Sequence, residues 1–224
     1  MKYRVLKQIP VVLILVAISF MLSTCRPRKA GSITNVSSIP ADSTYIFDGK
    51  SLNGWEITNF GTQGPVTISD GEIILGMGDG CTGITWKRDF PSLDYEVTLD
   101  ARRVDGNDFF CGMTFPVGKY PCTLIVGGWG GTIVGLSSIN GMDASENETT
   151  TLRKFDKDRW YRIKLDVTGD AILAWIDDEK VVDFTIGDNI LSIRPEVELS
   201  RPFGIASWRT TAAIRNIRVV RLER

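Results

Sequence analysis

From Thr44 onward, apolar and polar residues alternate with a period of two, and turn-forming residues interrupt the alternation at short intervals. Val66–Ser69 and Glu72–Leu75 flank Asp70-Gly71, a pair that readily takes the positive φ angles of a two-residue hairpin turn. Tyr95, Val97, Leu99 and Ala101 place an apolar side chain at every second position, and Glu96, Thr98, Asp100 and Arg102 fall on the opposite face. Phe109, Cys111, Met113 and Phe115 continue the pattern on the next strand. Later, Tyr161, Ile163, Leu165 and Val167 alternate with Trp160, Arg162, Lys164 and Asp166. Gly169-Asp170 turns the chain into a strand over Ala171–Ile176, residues 177–180 turn it into 181–186, and a last strand is expected over 213–222. No segment sustains a 3.6-residue period over three turns, which argues against a parallel α/β fold. About a dozen short strands in one domain predict an all-β fold, a two-sheet antiparallel jelly-roll sandwich.

The amino terminus follows a different pattern. Lys2, Arg4 and Lys7 precede an uncharged run over residues 8–24 whose apolar heart spans 11–22. A bilayer span wants about 20 residues. The run is shorter and fits the charged and apolar regions of a secretory signal. Leu22-Ser23-Thr24-Cys25 then resembles the bacterial lipobox, in which the Cys is acylated and becomes the new first residue, although Thr24 stands where Gly, Ala or Ser is usual. A plain signal peptide or a buried Cys25 is the alternative. Residues 26–43 are Ser-rich, contain Pro27 and Pro40 and show no period; as a flexible coil they reach roughly 23 Å. The expected organisation is a lipoprotein signal peptide over 1–24, lipidated Cys25 and a tether over 25–43, and one domain over 44–224. The protein would be exported and anchored by its lipid to a bacterial membrane, on the periplasmic side or at the cell surface.

Composition narrows the chemistry. With 43% hydrophobic and 24% charged residues the chain is neither disordered, collagen-like nor a coiled coil. The net charge is −1, and removal of the three signal-peptide cations leaves 23 Lys+Arg against 27 Asp+Glu, or −4. No basic surface invites nucleic acid. There is no His, which removes the Ser-His-Asp triad, the Cys-His dyad, imidazole acid-base catalysis and every His-containing zinc site. No Gly-x-Gly-x-x-Gly motif for dinucleotides follows a strand. Cys81, Cys111 and Cys122 remain after Cys25. With a four-residue loop over 116–119, Cys122 falls opposite Met113, a diagonal step from Cys111, so a disulfide and three free buried thiols both stay open.

Four segments carry a family resemblance. Phe47-Asp48-Gly49-Lys50-Ser51-Leu52-Asn53-Gly54-Trp55 resembles the opening of the 3-keto-disaccharide hydrolase domain family. So do Arg159-Trp160-Tyr161-Arg162-Ile163-Lys164, the run from Ala174 to Val182 containing Trp175 and Asp177-Asp178-Glu179-Lys180, and Ile214-Arg215-Asn216-Ile217-Arg218-Val219. The last three also suit sandwich lectins and laminin-G-like domains. The resemblance implies a concanavalin A-like jelly roll and cleavage of disaccharides that carry a ketone at C3. Asn107-Asp108-Phe109-Phe110-Cys111-Gly112 departs from the Asn-Ser-Gly-Ile-like strand start of many members, and no catalytic residue is carried over.

A ketone at C3 acidifies the C2 hydrogen. Its removal gives an enolate that expels the C1 substituent, after which water adds back. Such a site needs a base near C2, a stabiliser for the enolate oxygen, a proton donor and a surface that grips a sugar. Asp108 opens a strand beside Gly106-Asn107 and can serve as a base, an oxygen ligand or a turn cap. Glu146 and Asn147 sit in a polar segment that reaches across a cleft mouth or is simply solvated. Arg153 and Lys154 are candidate anion stabilisers, and Arg102 becomes one if its polar face lines the concave sheet. Trp129, inside Gly127-Gly128-Trp129-Gly130-Gly131, is a sugar platform on a tight loop or a core filler at a bend. Trp208, followed by Arg209, stacks a sugar or packs. The candidates are thus Asp108, Glu146 and Arg153 for catalysis, and Arg102, Trp129, Asn147, Trp208 and Arg209 for binding. No cofactor is identifiable; a divalent cation held by Asp or Glu is the one candidate, and Asp105-Gly106-Asn107-Asp108 lacks the full ligand spacing of Ca²⁺ loops. The alternative function is a non-catalytic, lectin-like carbohydrate-binding module.

Overall fold

The computed structural model describes residues 43–223. The expected signal peptide, Cys25 and the expected tether before Ser43 lie outside the described residues. Among the described residues no helix is long and apolar enough to cross a membrane.

Fifteen strands follow in chain order: β1 (Ser43–Tyr45), β2 (Trp55–Ile57), β3 (Val66–Ser69), β4 (Glu72–Leu75), β5 (Cys81–Trp86), β6 (Tyr95–Gly106), β7 (Cys111–Val117), β8 (Tyr120–Gly128), β9 (Ile133–Ser137), β10 (Thr151–Leu152), β11 (Tyr161–Val167), β12 (Ala171–Ile176), β13 (Glu179–Thr185), β14 (Phe203–Trp208) and β15 (Thr210–Arg221). A short 3₁₀ helix, Pro195–Ser200, precedes β14. The strands form two antiparallel sheets. The back sheet runs β13-β12-β11-β6-β15-β4-β3, with β1 also on β15; the front sheet runs β10-β9-β8-β7-β14-β5-β2. This is the expected two-sheet jelly-roll sandwich.

Register follows from the alternation. Tyr95, Val97, Leu99 and Ala101 of β6 face inward, as do Ile163 and Leu165 of β11, and all are essentially inaccessible. They meet Met113 and Phe115 of β7, Leu124 and Val126 of β8, Leu136 of β9 and Ile205 of β14 from the front sheet. Burying one such side chain contributes about 1.5–3 kcal/mol, and a one-residue slip would turn every one of them to solvent. The Asp70-Gly71 turn has the expected positive φ angles, 52° and 80°.

Three local expectations are corrected. The β7–β8 turn is two residues, Gly118-Lys119, because the strands continue through Val117 and resume at Tyr120. Cys122 therefore pairs with Phe115 and Met113 with Leu124. Cys111 and Cys122 lie too far apart along the ladder to bond, and Cys81, Cys111 and Cys122 are all buried free thiols. Phe109 does not continue the inward row of β7; the core position is taken by fully buried Phe110. The turn before β13 is also tighter than expected, with Asp177 at φ 56° and Glu179 already in the strand.

Candidate functional site

The outer faces of the two sheets differ in kind. On the back sheet the outward positions are long and charged, and they lie down on one another. Arg102 Nη2 donates to Glu72 Oε2 at 2.9 Å, and Lys164 Nζ stands 3.1 Å from Glu96 Oε2 and 3.4 Å from Asp166 Oδ2. Arg102 and Arg215 also stack on Trp160, 4.9 and 4.0 Å from its ring centroid.

On the front sheet the outward positions are small. They include Gly83 and Thr85 of β5, Gly112 and Thr114 of β7, Thr123 of β8, Gly135 and Ser137 of β9, and Gly204 and Ala206 of β14. Large core residues alternate with them, so the face presents nearly bare backbone.

Walls rise from this floor. The Phe109 ring lies over Gly112, where an added Cβ would come 2.9 Å from Phe109 Cε2. The 3₁₀ helix lies over Gly204, where a Cβ would come 2.6 Å from the Ser200 carbonyl, and Thr85 Oγ1 donates to Leu199 O at 3.0 Å. The 143–150 segment lies over Gly135, with Thr149 O at 3.1 Å and Ala144 O at 3.2 Å from an added Cβ. Between the walls is a cleft of about 250 Å³, whose lining includes Asp108, Phe109, Trp129, Arg194, Glu196 and Trp208 above Cys81, Thr123, Ile125 and Ser137.

The structure thus brings three of the expected residues together: Asp108, Trp129 and Trp208. Trp129 is at the tip of the β8–β9 connection, 41% exposed, with φ 47°. Half-buried Trp208 is tied to its neighbour by its backbone N–H, which donates to Phe109 O at 3.0 Å. Asp108 is half-buried. Its Oδ1 accepts from Phe109 N at 2.7 Å and its Oδ2 from Gly130 N at 3.4 Å, while its own N–H donates to Thr210 Oγ1 at 3.1 Å.

The other expected residues stand elsewhere. Arg102 is on the back sheet, so its polar face does not line the cleft, and Glu72, Asp158 and Trp160 occupy it. Arg153 is held at the β12–β13 turn by Glu179 at 2.6 Å and Asp177 at 3.4 Å, over Phe155 and Tyr161, and does not line the cleft. Asn147 is only 6% exposed. Its Nδ2 donates to the Leu136, Met142 and Asp143 carbonyls and its Oδ1 accepts from Thr149, so its amide pins the wall rather than facing the cleft. Glu146 is exposed beside it and does not line the cleft. Arg209 is at the rim, 5.8 Å from the Trp208 ring centroid and paired with Asp79 at 2.7 Å.

Arg194 and Glu196 were invisible to sequence reading. They sit at the start of the 3₁₀ helix, with Nη2 of Arg194 2.9 Å from Oε1 of Glu196. The hydrogen bond from Arg194 holds the Glu196 carboxyl below the usual carboxylate range, and the same bond raises the Arg194 guanidinium above its ordinary value. Arg194 also pairs with Asp143, whose Oδ1 accepts from Ser137 Oγ at 3.2 Å and Ser138 Oγ at 3.1 Å. Burial, followed by the charge of Glu196, pushes the Cys81 thiol up to about 12, so it is no nucleophile at neutral pH. The missed signal is an alternation of large and small residues in β5, β7, β8, β9 and β14, which apolar/polar patterning does not score.

Among the described residues no group of three or more acidic or Cys side chains stands together. Each Asp108 oxygen accepts one backbone N–H, and a Glu196 oxygen accepts from Arg194.

Two stacked antiparallel sheets with an aromatic-walled cleft on one outer face define a jelly-roll sandwich with one candidate ligand site. The chain belongs to the 3-keto-alpha-glucoside-1,2-lyase-like domain family, which matches residues 42–220. The sequence matches no curated protein. Among solved structures, it is similar to the Crh5 transglycosylase in complex with NAG: 14% identity, TM-score 0.57, covering 82% of this chain and 85% of that one. It is similar to a galectin-like-fold protein of unknown function from Bacillus subtilis: 12% identity, TM-score 0.57, covering 81% and 96%. A laminarinase from a Flavobacterium species gives 14% identity and TM-score 0.50, covering 80% and 98%. These identities speak for the fold alone.

Proposed function

We propose that this chain is an exported, membrane-tethered enzyme that cleaves the glycosidic bond of a 3-keto sugar in the front-sheet cleft. The observation that carries the reading is the convergence of Trp129, Trp208 and Phe109 with Asp108 and the Arg194–Glu196 pair around one cleft of about 250 Å³. Aromatic faces suit the apolar C–H face of a sugar ring, and a few convergent polar groups suit its hydroxyls.

In this reading Asp108 takes the proton from C2. The electron pair passes into the C2–C3 bond and charge develops on the C3 oxygen, where Arg194 stabilises it. The C1–O bond then breaks, and protonated Asp108 returns its proton to the leaving oxygen. Glu196 is held as a carboxylate by Arg194 and serves to orient that cation. Elimination alone is the lyase outcome. Addition of water, hydroxyl to C1 and proton to C2, makes the net reaction a hydrolysis.

The test is incubation of the purified protein with an aryl 3-keto-glucoside, following release of the phenol. Asp108→Asn should abolish release with the fold intact, whereas Trp129→Ala and Trp208→Ala should mainly raise KM. Release by the parent no faster than by Asp108→Asn would end the enzyme reading.

One observation favours a second reading, the non-catalytic sugar-binding module: Asp108 is engaged by two backbone N–H groups and Glu196 by Arg194, as in a rigid recognition site. Binding of the glucoside without turnover would establish it.

The tether is part of the proposal. Acyl chains on Cys25 would hold the domain at a membrane, each buried CH₂ contributing about 0.8 kcal/mol. Cys25→Ala should abolish fatty-acid labelling and move the protein to the soluble fraction; unchanged labelling would refute the anchor.

A further inference from the structure

Arg103 is a buried cation in the core-facing row of β6, 8% exposed. Among the described residues no carboxylate lies within ion-pair distance of it. Its guanidinium crosses the sandwich to the front sheet. There Nη2 donates to Gly131 O at 3.0 Å and approaches Gly127 O at 3.3 Å, and the group stacks 5.2 Å from the Phe110 ring centroid. Its Nε has no partner among the described residues. Gly127 and Gly131 are the two ends of the loop whose tip is Trp129.

That loop holds four residues in the left-handed region: Gly127 at φ 77°, Trp129 at 47°, Gly130 at 83° and Gly131 at 102°. Glycine accepts such angles freely; tryptophan does not, and persists there only where its surroundings over-determine it. Arg103 supplies that determination from below. A Cβ on Gly127 would come 2.6 Å from Arg103 Nη2, and one on Gly131 would come 2.9 Å from the Asn107 carbonyl oxygen and 3.3 Å from both Nη atoms. Gly127 is therefore required by the arginine as well as by the turn, and Gly131 by the Asn107 carbonyl first and the arginine second. Asp108 Oδ2 holds the same loop from its outer side through Gly130 N. Burial lowers the basicity of Arg103, and the charge of Asp108 is the first influence opposing this. Stability alone gives little reason for such a residue, since a well-packed apolar side chain often replaces a buried charge without loss.

We infer that Arg103 is the positioning residue of the cleft, fixing the Trp129 platform and the Asp108 carboxylate relative to each other so that a sugar ring meets both. This rests on the proposed use of the cleft for a sugar. Arg103 does not line the cleft and acts through the loop.

The test compares the parent with Arg103→Met, which keeps the bulk, and Arg103→Lys, which keeps the charge and one donor direction. Acrylamide quenching of Trp129 fluorescence, isolated by subtracting the signal of Trp129→Phe, reports the platform directly. Affinity for methyl 3-keto-α-glucoside, measured by calorimetry, reports its use. Arg103→Met should quench more strongly and bind at least tenfold more weakly, at a Tm within a few degrees of the parent, with Arg103→Lys in between. Quenching and affinity both unchanged in Arg103→Met would overturn the inference, as would lost affinity with the Trp129 signal intact. If Arg103→Met does not fold, Arg103→Lys decides by the same two readouts. If the parent itself binds no 3-keto-glucoside, the sugar reading fails while the quenching comparison still decides the positioning.

Discussion

Asn147→Ala separates a wall from a ligand contact. The Asn147 side chain fills five polar relationships that tie the 143–150 segment to itself and to β9: Nδ2 to the carbonyls of Leu136 (2.7 Å), Asp143 (2.8 Å) and Met142 (3.1 Å), and Oδ1 from the N–H (3.0 Å) and hydroxyl (2.7 Å) of Thr149. Truncation to Ala leaves the Leu136 carbonyl and the Thr149 N–H buried without a side-chain partner. Each such group costs about 1–3 kcal/mol, and entry of water into the vacated space offsets part, so a total of about 3 kcal/mol is expected. For a domain of this size each kcal/mol lowers Tm by about 2–4 °C, giving a drop of about 6–12 °C. Asn147→Asp should be worse, because its carboxylate would face three carbonyl oxygens. The assay is thermal unfolding by circular dichroism, paired with 3-keto-glucoside calorimetry well below both transitions. Affinity should fall only modestly, through Asp143 and its partner Arg194. A Tm within about 1 °C of the parent would refute the hydrogen-bond accounting; unchanged Tm with abolished binding would make Asn147 a ligand contact.

Two further predictions concern titration. Burial pushes the thiols of Cys111 and Cys122 up to about 12, as it does Cys81, so iodoacetamide at pH 8 should leave all three unmodified in the folded domain and alkylate all three in denaturant; rapid labelling of the native protein would contradict their burial. Glu196 is depressed by Arg194, so its stabilising contribution is present above the ordinary carboxylate value of 4.5 and is lost as pH falls through the lower folded value. Glu196→Gln should therefore flatten the acid limb of Tm against pH, and an identical limb would refute the coupling.

The sandwich was legible because burial enforces a period of two. The apolar inward residues of β6 and β11 were readable from alternation, and the hairpin at Asp70-Gly71 from a residue pair that readily accepts its angles. Trp129 and Asp108 were legible as candidates because glycine clusters and an Asp before a strand stand out locally. Whether Trp129 faced solvent or core was not, since both fit a bend, and the outcome depends on Arg103 from another strand. Arg102 and Arg103 show the limit. They are adjacent in sequence and opposite in fate, and the alternation placed Arg102 on a polar face without saying which sheet's face was hollow. Arg194 and Glu196 lie in a segment without periodicity, and their partner Asp143 is 51 positions from Arg194. No local pattern encodes that meeting.

The hollow itself comes from side-chain size. The long charged side chains of the back sheet fill their own outer face, while the Gly, Ala, Ser and Thr positions leave the front sheet open to whatever settles on it. Three segments settle there, each over a glycine, and the contacts differ in what a methyl group would strike. At Gly112 it would meet the far edge of the Phe109 ring at 2.9 Å, a side chain free to swing. At Gly204 it would meet the Ser200 backbone carbonyl at 2.6 Å, which cannot move without lifting the 3₁₀ helix. Neither glycine has a positive φ, so backbone strain does not confuse the comparison. Gly112→Ala should therefore keep most of the stability and lose sugar affinity as Phe109 tilts into the cleft, whereas Gly204→Ala should lose stability outright. Thermal unfolding and calorimetry on both variants decide it. Equal losses of Tm would mean that the walls do not rest on the floor in the way the glycines imply.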